Sequence, residues 1–273
     1  MTTSRRTPAP DPSPAPGSEP LSRRSFCLHL GAASLTLGCD LFAPLEQPLL
    51  ASGDGRLAVR PSEPTATITP GVHRLGLANS RDGFIVVPEG YVATRSWPLA
   101  LFFHGAGGTA VANIGDFIPL ADEAGLVLLS PDSRGSTWDL ARGGFGPDVE
   151  FLDRAMAEVF RRVRVDPARI SMSGFSDGAS YALSLGVTNG DLVSRVAAFS
   201  PGFYTPTQEP GKPKVFVTHG TGDRVLQLET TSRRIVDRLR REGYDVTYHE
   251  FDGGHVMVEQ RVREAFAWMA QTA

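Results

Sequence analysis

The stretch "RISMSGFSDGASYALSLGV" (169–187) decides the fold that the sequence predicts. Its apolar first part, 169–175, predicts a strand, and 177–187 predicts a helix. Ser176 stands at the junction, with a glycine two residues away on either side, in the pattern G-x-S-x-G. The pattern alone is weak, but its place between a strand and a helix is typical of a nucleophile held in a sharp turn. A serine that caps the helix is the alternative.

The alternation of strand and helix continues on both sides of this stretch. Strands are predicted at 83–88, 99–105, 126–132, 195–202, 214–220 and 245–251, and helices at 114–125, 147–163, 230–243 and 256–270. The runs 99–105 and 126–132 are continuously apolar, as in strands buried on both faces of a parallel sheet. Asp148 is expected to cap the helix 147–163. The pattern predicts an α/β fold, with a mostly parallel central sheet and helices on both faces.

Composition narrows the classes of function. The chain has 273 residues and a formal net charge of −3. No cluster of basic residues lies in the predicted domain, so nucleic acid is not an expected partner. Both cysteines, Cys27 and Cys39, precede the domain. The domain therefore has no disulfide, no thiolate metal site and no cysteine nucleophile.

The first 39 residues predict export. A Pro- and Ser-rich start, expected to be disordered, leads to "SRRSF" (22–26), which resembles the twin-arginine signal, and then to a short apolar stretch. "TLGC" (36–39) resembles a lipobox with Cys39 as the lipidated residue. We expect an exported bacterial protein whose partner in export is the twin-arginine machinery. Its expected contact with a membrane is only through a lipid on Cys39. A plain signal peptide and an uncleaved anchor are the alternatives.

The rest of the chain divides at about residue 72. Residues 40–71 contain many Pro and Gly and little periodicity, which predicts a tether with some edge structure. Residues 72–273 carry the regular pattern and form the predicted catalytic domain. The link from 195–202 to 214–220 is short, so little or no cap is expected over the carboxyl edge of the sheet.

An acid and a base follow Ser176 at suitable places. Asp223 lies in "HGTGDRVL" after a predicted strand, and His255 lies in "DGGHVM" between the last strand and the last helix. In open α/β sheets such loops meet at the carboxyl ends of the strands. The order Ser, Asp, His suits a triad in which the acid orients the base. Asp252 is a weaker rival for the acid, and a turn or cap role is the alternative for Asp223.

A glycine-rich turn predicts an oxyanion hole. "HGAGG" (104–108) follows a buried strand, and its amides could face a tetrahedral intermediate. Ala106 is the favoured donor and Gly107 the next, together with the amide of Asp177 after the nucleophile. His104 is expected to be structural. A phosphate-binding loop is the rival, but neither of the common phosphate-loop patterns fits.

Four aromatic residues in loops after predicted strands are candidates for a substrate pocket. They are Trp138, Phe145, Phe203 and Tyr204. Such side chains could form the walls of an acyl or aromatic pocket. Packing as part of the core is the equal alternative for each.

From about residue 72 to its end, the chain resembles the α/β-hydrolase superfamily. Within it, the chain is similar to small phospholipase/carboxylesterases and polyhydroxybutyrate-depolymerase-like esterases. The stretches that carry this resemblance are "VDPARISMSGFSDGASYALSLG" (165–186), "FFHGAGG" (102–108), "HGTGDRVL" (219–226) and "GGH" (253–255). The resemblance implies hydrolysis of small-molecule carboxylic esters by Ser176, His255 and Asp223, with no metal or organic cofactor.

Several functions share these residues. A feruloyl- or polyhydroxybutyrate-type esterase, a thioesterase and a small serine peptidase would all use the same triad. A catalytically silent binding lipoprotein is the alternative from another class, since a fold does not fix a function. A silent binder would be expected to have a broken triad or a filled oxyanion turn, and the sequence has neither.

Overall fold

The computed structural model describes residues 53–112 and 114–272. The predictions of a signal sequence, of lipidation at Cys39 and of a tether up to residue 52 concern residues outside these ranges. Within the described ranges, no helix is both long enough and apolar enough to cross a membrane.

One eight-stranded sheet organises the described chain. Its strands are β1 (Gly71–Arg74), β2 (Gly83–Val87), β3 (Trp97–Phe103), β4 (Val127–Pro131), β5 (Val165–Phe175), β6 (Arg195–Phe199), β7 (Lys214–Gly220) and β8 (Val246–Phe251). They lie in the order β1-β2-β4-β3-β5-β6-β7-β8. The pairs β1–β2 and β2–β4 are antiparallel, and all the other neighbours are parallel. The predicted mostly parallel α/β sheet is confirmed.

Helices cover both faces of the sheet. They are α1 (Ile114–Ala124), α2 (Pro147–Arg162), α3 (Asp177–Thr188), α4 (Ser232–Arg241) and α5 (Glu259–Ala270), with a short 3-10 helix at Asp139–Arg142. The apolar residues of α2, α3 and α4 pack in one core cluster, and those of α1 and α5 in a second. Successive residues of β3 alternate between the two clusters, as Leu101 and Phe102 do. This two-sided burial explains the continuous apolar runs in the sequence.

Residues 53–70 form neither a helix nor a strand, yet they pack on the domain. Leu57 is 1% exposed, and its amide donates to the side chain of Asn189 over 2.8 Å. Arg56 forms an ion pair of 2.7 Å with Asp191. In this part of the segment 40–71, apolar and charged side chains thus find partners near the end of α3.

Candidate active site

Ser176 lies at the turn between β5 and α3, and its backbone is strained. Its φ is 57° and its ψ is −119°, a left-handed conformation that glycine adopts more readily than other residues. Its amide donates to the carbonyl of Phe199 over 2.9 Å. A Cβ on Gly174 would overlap the backbone of Gly178, and a Cβ on Gly178 would overlap the backbone of Phe103. This close packing explains both glycines of the motif.

A chain of hydrogen bonds joins the predicted nucleophile, base and acid. Nε2 of His255 lies 2.9 Å from Oγ of Ser176. Nδ1 of the same ring lies 2.6 Å from Oδ2 of Asp223. His255 is in the loop between β8 and α5, and Asp223 follows β7. The structure therefore brings the three residues together at the carboxyl edge of the sheet, where the sequence predicted them.

The carboxylate of Asp223 is held from several sides. Its Oδ1 accepts hydrogen bonds from the amides of Val225 and Leu226 at 2.8 and 2.9 Å. Burial alone would raise the pKa of Asp223, but the bonds from the Leu226 amide, from His255 and from the Val225 amide outweigh burial, and the pKa is lowered. The group is thus an oriented carboxylate. Asp252, the rival acid, is exposed, and the ring of His255 faces Asp223 instead.

Two of the three predicted oxyanion amides are free. Asp177 is the first residue of α3, where amides have no partner within the helix. The turn at 105–108 passes close to the nucleophile: a Cβ on Gly105 would lie 3.5 Å from that of Ser176. Within the described chain, the Ala106 amide makes no hydrogen bond. The site thus has two amides that could stabilise negative charge beside Ser176.

Gly107 is a wrong prediction. Its amide donates to the carbonyl of Ser136 over 2.7 Å, so its hydrogen is already used in fixing the turn. This bond has no local signal in the sequence, because its acceptor belongs to the loop between β4 and α2. Gly107 has a φ of 70°, and its conformational freedom serves the turn instead.

His104 lies under this turn as a structural residue. Its Nδ1 lies 2.8 Å from the carbonyl of Gly105, and its Nε2 accepts a hydrogen bond of 3.1 Å from the amide of Ser133. A carbonyl can only accept, so Nδ1 carries the hydrogen. Burial lowers the pKa of His104 and favours its neutral form. The ring therefore links the turn to the β4–α2 loop, as expected for a histidine that is not the base.

Two contacts that the sequence did not predict support the site. Thr137 Oγ1 donates a hydrogen bond of 2.7 Å to Oδ2 of Asp177. The ring of Phe175 packs against the imidazole of His255, with 4.7 Å between ring centroids. Phe175 precedes the nucleophile in the elbow motif and could have been noticed. Thr137 carried no signal, since only folding brings its loop to α3.

Three of the four aromatic pocket candidates belong to the core. Trp138 is 0% exposed, and its indole donates to the carbonyl of His104 over 2.8 Å. Phe145 and Tyr204 are 1% and 5% exposed. Side chains with so little exposure cannot form the wall of an open pocket, and the prediction is wrong for these three. Phe203 is half-buried and remains a candidate.

Apolar surface is nevertheless present near the triad. Val111, Val225 and Val256 are among the most exposed large apolar residues of the described chain, and they lie on the loops of this edge. A surface cavity of about 460 Å³ lies between the first turns of α1 and α5. Its lining includes Met257, two residues beyond His255, together with Phe117 and Leu120.

Comparison with known protein sequences finds relatives that are named as esterases. No family model matches the chain. NocK of Nocardia uniformis subsp. tsuyamanensis, which is named as an esterase, is 26% identical over 209 residues, which are 74% of this chain and 53% of NocK. A protein of Aspergillus terreus named as feruloyl esterase C is 24% identical over 72% of this chain and 69% of its own. The chain thus spans about half the length of the first relative and about two thirds of the second.

A solved structure shows a similar fold. The structure of FphF, a fluorophosphonate-binding serine hydrolase of Staphylococcus aureus, superposes with a TM-score of 0.61 at 14% identity. It matches 74% of this chain and 99% of FphF. The chain has the α/β-hydrolase fold. In this fold the nucleophile, acid and base follow one another in the order in which Ser176, Asp223 and His255 occur here.

The α/β-hydrolase domain of this chain has no helical cap between β6 and β7. Residues 200–213 join these strands as an irregular link. Ser176 is 8% exposed, and the side chain of His255 is 15% exposed. Both reach solvent at the carboxyl edge, as the short link in the sequence predicted. The site is open.

Proposed function

We propose that the chain is a serine hydrolase of carboxylic esters. The hydrogen-bonded series Asp223, His255 and Ser176, beside the free amides of Ala106 and Asp177, carries this proposal. The relatives named as esterases support it. A silent binding protein would have no need of a strained serine within 2.9 Å of an oriented imidazole.

The first half-reaction forms an acyl-enzyme. His255 Nε2 takes the hydroxyl proton of Ser176 as Oγ bonds to the ester carbonyl carbon, and the carbonyl electron pair moves onto oxygen. The Ala106 and Asp177 amides donate to this oxyanion, and one such donor contributes about 3 kcal/mol. Asp223 holds Nδ1–H and stabilises the imidazolium. The carbonyl then re-forms, the bond to the alcohol oxygen breaks, and His255 gives that oxygen its proton.

The second half-reaction restores the enzyme. Water enters at the open edge and loses a proton to Nε2 of His255 as its oxygen bonds to the acyl carbon. The new tetrahedral species collapses, the bond to Ser176 Oγ breaks, and the proton returns to Oγ. The products are a carboxylic acid and an alcohol. Every step uses groups of this chain and water.

An ester with an apolar acyl or aryl group fits the site best. Val225, Val256 and Met257 provide apolar surface within two residues of Asp223 or His255 in the sequence. A feruloyl-type esterase is the second candidate, supported by the relative named as feruloyl esterase C. Thioester and peptide substrates would use the same triad, and no contact of the described chain favours them.

The test compares the wild-type protein with Ser176→Ala. We expect hydrolysis of p-nitrophenyl esters, from acetate to palmitate, to fall by about 10⁴-fold or more in the variant. A fluorophosphonate reagent should add its mass to the peptide that contains Ser176 only in the wild type. Methyl ferulate in the same series tests the second candidate.

Three results would contradict the proposal in whole or in part. Undiminished hydrolysis by Ser176→Ala would remove the serine from the mechanism. A folded wild type that neither hydrolyses these esters nor reacts with the fluorophosphonate would point to the silent binder. A wild type that reacts with the reagent but hydrolyses only thioesters or peptides would keep the triad and overturn the substrate class.

We also propose that the protein is exported by the twin-arginine pathway and anchored through Cys39. The motif at 22–26 and the sequence before Cys39 support this. Replacing Arg23 and Arg24 by lysine should hold the protein in the cytoplasm, as fractionation of a bacterial host would show. Cys39→Ser should abolish labelling by radioactive palmitate. Unchanged export or unchanged labelling would contradict the corresponding part.

A further inference from the structure

A second histidine lies behind the acid of the triad. His219, near the end of β7, is 0% exposed. Its Nε2 lies 2.8 Å from the carbonyl oxygen of Leu226 and 3.0 Å from Oδ2 of Asp223. Both oxygens are acceptors only, the second because Asp223 is a carboxylate. Nε2 of His219 must therefore carry a hydrogen and donate it.

The other nitrogen of this ring is also engaged. Nδ1 of His219 lies 2.5 Å from Oγ of Ser232, the first residue of α4 and itself fully buried. Burial lowers the pKa of His219, more than its acceptors raise it, so the ring is neutral. A neutral ring with hydrogen on Nε2 can only accept at Nδ1. Ser232 is therefore the donor and fixes the tautomer.

We propose that His219, held in one tautomer by Ser232, is a positioning residue whose Nε2–H, bonded to the carbonyl of Leu226, also lies against the carboxylate of Asp223. The proposal rests on the proposed hydrolase function. The same Oδ2 accepts from Nδ1 of His255, so one carboxylate oxygen lies between two imidazoles. The series of contacts through the two histidines and Asp223 begins at Ser232 and ends at Ser176. Of these two serines, only Ser176 reaches the open edge of the sheet.

Two consequences follow for the reaction. By holding the carbonyl of Leu226, His219 fixes the loop whose amides bind Oδ1 of Asp223. The positive end of the same N–H dipole lies 3.0 Å from Oδ2 and partly offsets the charge on the oxygen that faces His255, so that Asp223 stabilises the imidazolium less strongly. His219 thereby orients the acid of the triad.

Few other charged groups face His219. Asp223 and His255 lie on the side of the triad. Glu250 on β8 also influences the ring electrostatically, and its carboxylate is paired with Arg233 at 2.8 Å. Because Glu250 is already paired, the contacts of His219 with Leu226 and Asp223 are the interactions that its substitution would change most.

The experiment replaces His219 in two ways. His219→Leu removes the donor with little change of volume. His219→Gln keeps an amide nitrogen that can reach the position of Nε2. Ser232→Ala leaves the ring in place and removes the bond that fixes its tautomer. His249→Leu is the matched control, since His249 lies on β8 against Phe216 and outside the triad. Circular dichroism and thermal melting establish that each variant is folded.

The pH profile separates positioning from a merely structural role. In His219→Leu we expect the acidic limb of kcat/KM to move to higher pH by about 0.5 unit, because Asp223 then attracts the proton of His255 more strongly. We expect kcat to fall about fivefold with little change in KM, the loss of one hydrogen bond. Ser232→Ala should shift less in the same direction, and His219→Gln and His249→Leu should resemble wild type.

Nitrogen NMR of the wild type tests the inference without activity. The His219 ring should show hydrogen on Nε2 and none on Nδ1 across neutral pH. Hydrogen on Nδ1, or a charged ring, would overturn the proposal, as would folded Leu and Gln variants whose acidic limbs both match wild type. If the His219 ring shows the expected tautomer but the protein does not hydrolyse esters, the inferred contact of His219 stands and the proposed hydrolase function is contradicted.

Discussion

Thr137 donates a hydrogen bond of 2.7 Å to the carboxylate of Asp177. It thereby ties the loop between β4 and α2 to the residue whose amide we propose as an oxyanion donor. The same loop accepts the Gly107 amide through Ser136 and binds His104 through Ser133. The geometry beside Ser176 therefore depends on a loop that supplies no member of the triad.

We predict that Thr137→Val lowers kcat about three- to tenfold and leaves KM nearly unchanged, the result of losing about 1 kcal/mol of orientation in the transition state. Thr137→Ser keeps the hydroxyl and should retain wild-type kcat. Steady-state kinetics on p-nitrophenyl butyrate measure both. Equal activity of the Val and Ser variants would show that the bond does not orient the oxyanion site.

The strain at Ser176 should appear in stability. At a φ of 57°, a residue with a Cβ is strained by about 1–3 kcal/mol, and glycine avoids this strain. Glycine also lowers the free energy of unfolding by about 1 kcal/mol, because its unfolded chain has more conformational entropy. We expect Ser176→Gly to be more stable than Ser176→Ala by about 1 kcal/mol, although both lack the nucleophile. Urea unfolding of the two inactive variants measures the difference. A less stable glycine variant would contradict strain at this turn.

We expect the buried carboxyl group of Asp139 to make the free energy of unfolding depend on pH. It is 1% exposed, and burial together with the charge of Asp148 raises its pKa from 3.8 to about 6. Between these values the folded state binds the proton more tightly than the unfolded state, so stability is greatest below pH 4 and falls as the pH rises through 6. Relative to Asp139→Asn, the free energy of unfolding of the wild type should fall by about 2–3 kcal/mol from pH 4 to pH 7. Urea unfolding at a series of pH values measures both free energies. If wild type and Asp139→Asn changed by the same amount between pH 4 and pH 7, the raised pKa of Asp139 would be contradicted.

The cavity beside Met257 should set the preference for acyl length. A tryptophan at this position would fill part of the space of about 460 Å³. We expect Met257→Trp to lower kcat/KM for p-nitrophenyl octanoate about tenfold more than for the acetate, since each lost apolar contact weakens binding of the longer chain. Val92→Trp is the control, because Val92 is 53% exposed in the loop that precedes β3. Equal losses on both esters would place the acyl chain elsewhere.

The order and placement of Ser176, Asp223 and His255 could be predicted because each follows a strand with a strong local pattern. The sequence does not predict which partner an individual amide or side chain faces. The amide of Gly107 points to Ser136, and Trp138 turns its indole into the core, because the β4–α2 loop folds back under the oxyanion turn. Asp148 was expected to cap α2, yet its carboxylate accepts from the amides of Asp139 and Arg134 in the same loop. Such contacts depend on tertiary packing, which local propensity does not encode.

The irregular link at 200–213 leaves Ser176 without a cover, and this bears on the fate of the acyl group. An acyl chain on Oγ would stand at the edge of the solvent, within reach of any small nucleophile that is present. Short alcohols would then compete with water for the same intermediate and be acylated in its place. With no lid to open, the rate should also rise smoothly with dissolved substrate and show no jump where the ester begins to form micelles. We therefore expect the proposed esterase to transfer acyl groups to short alcohols as well as to water.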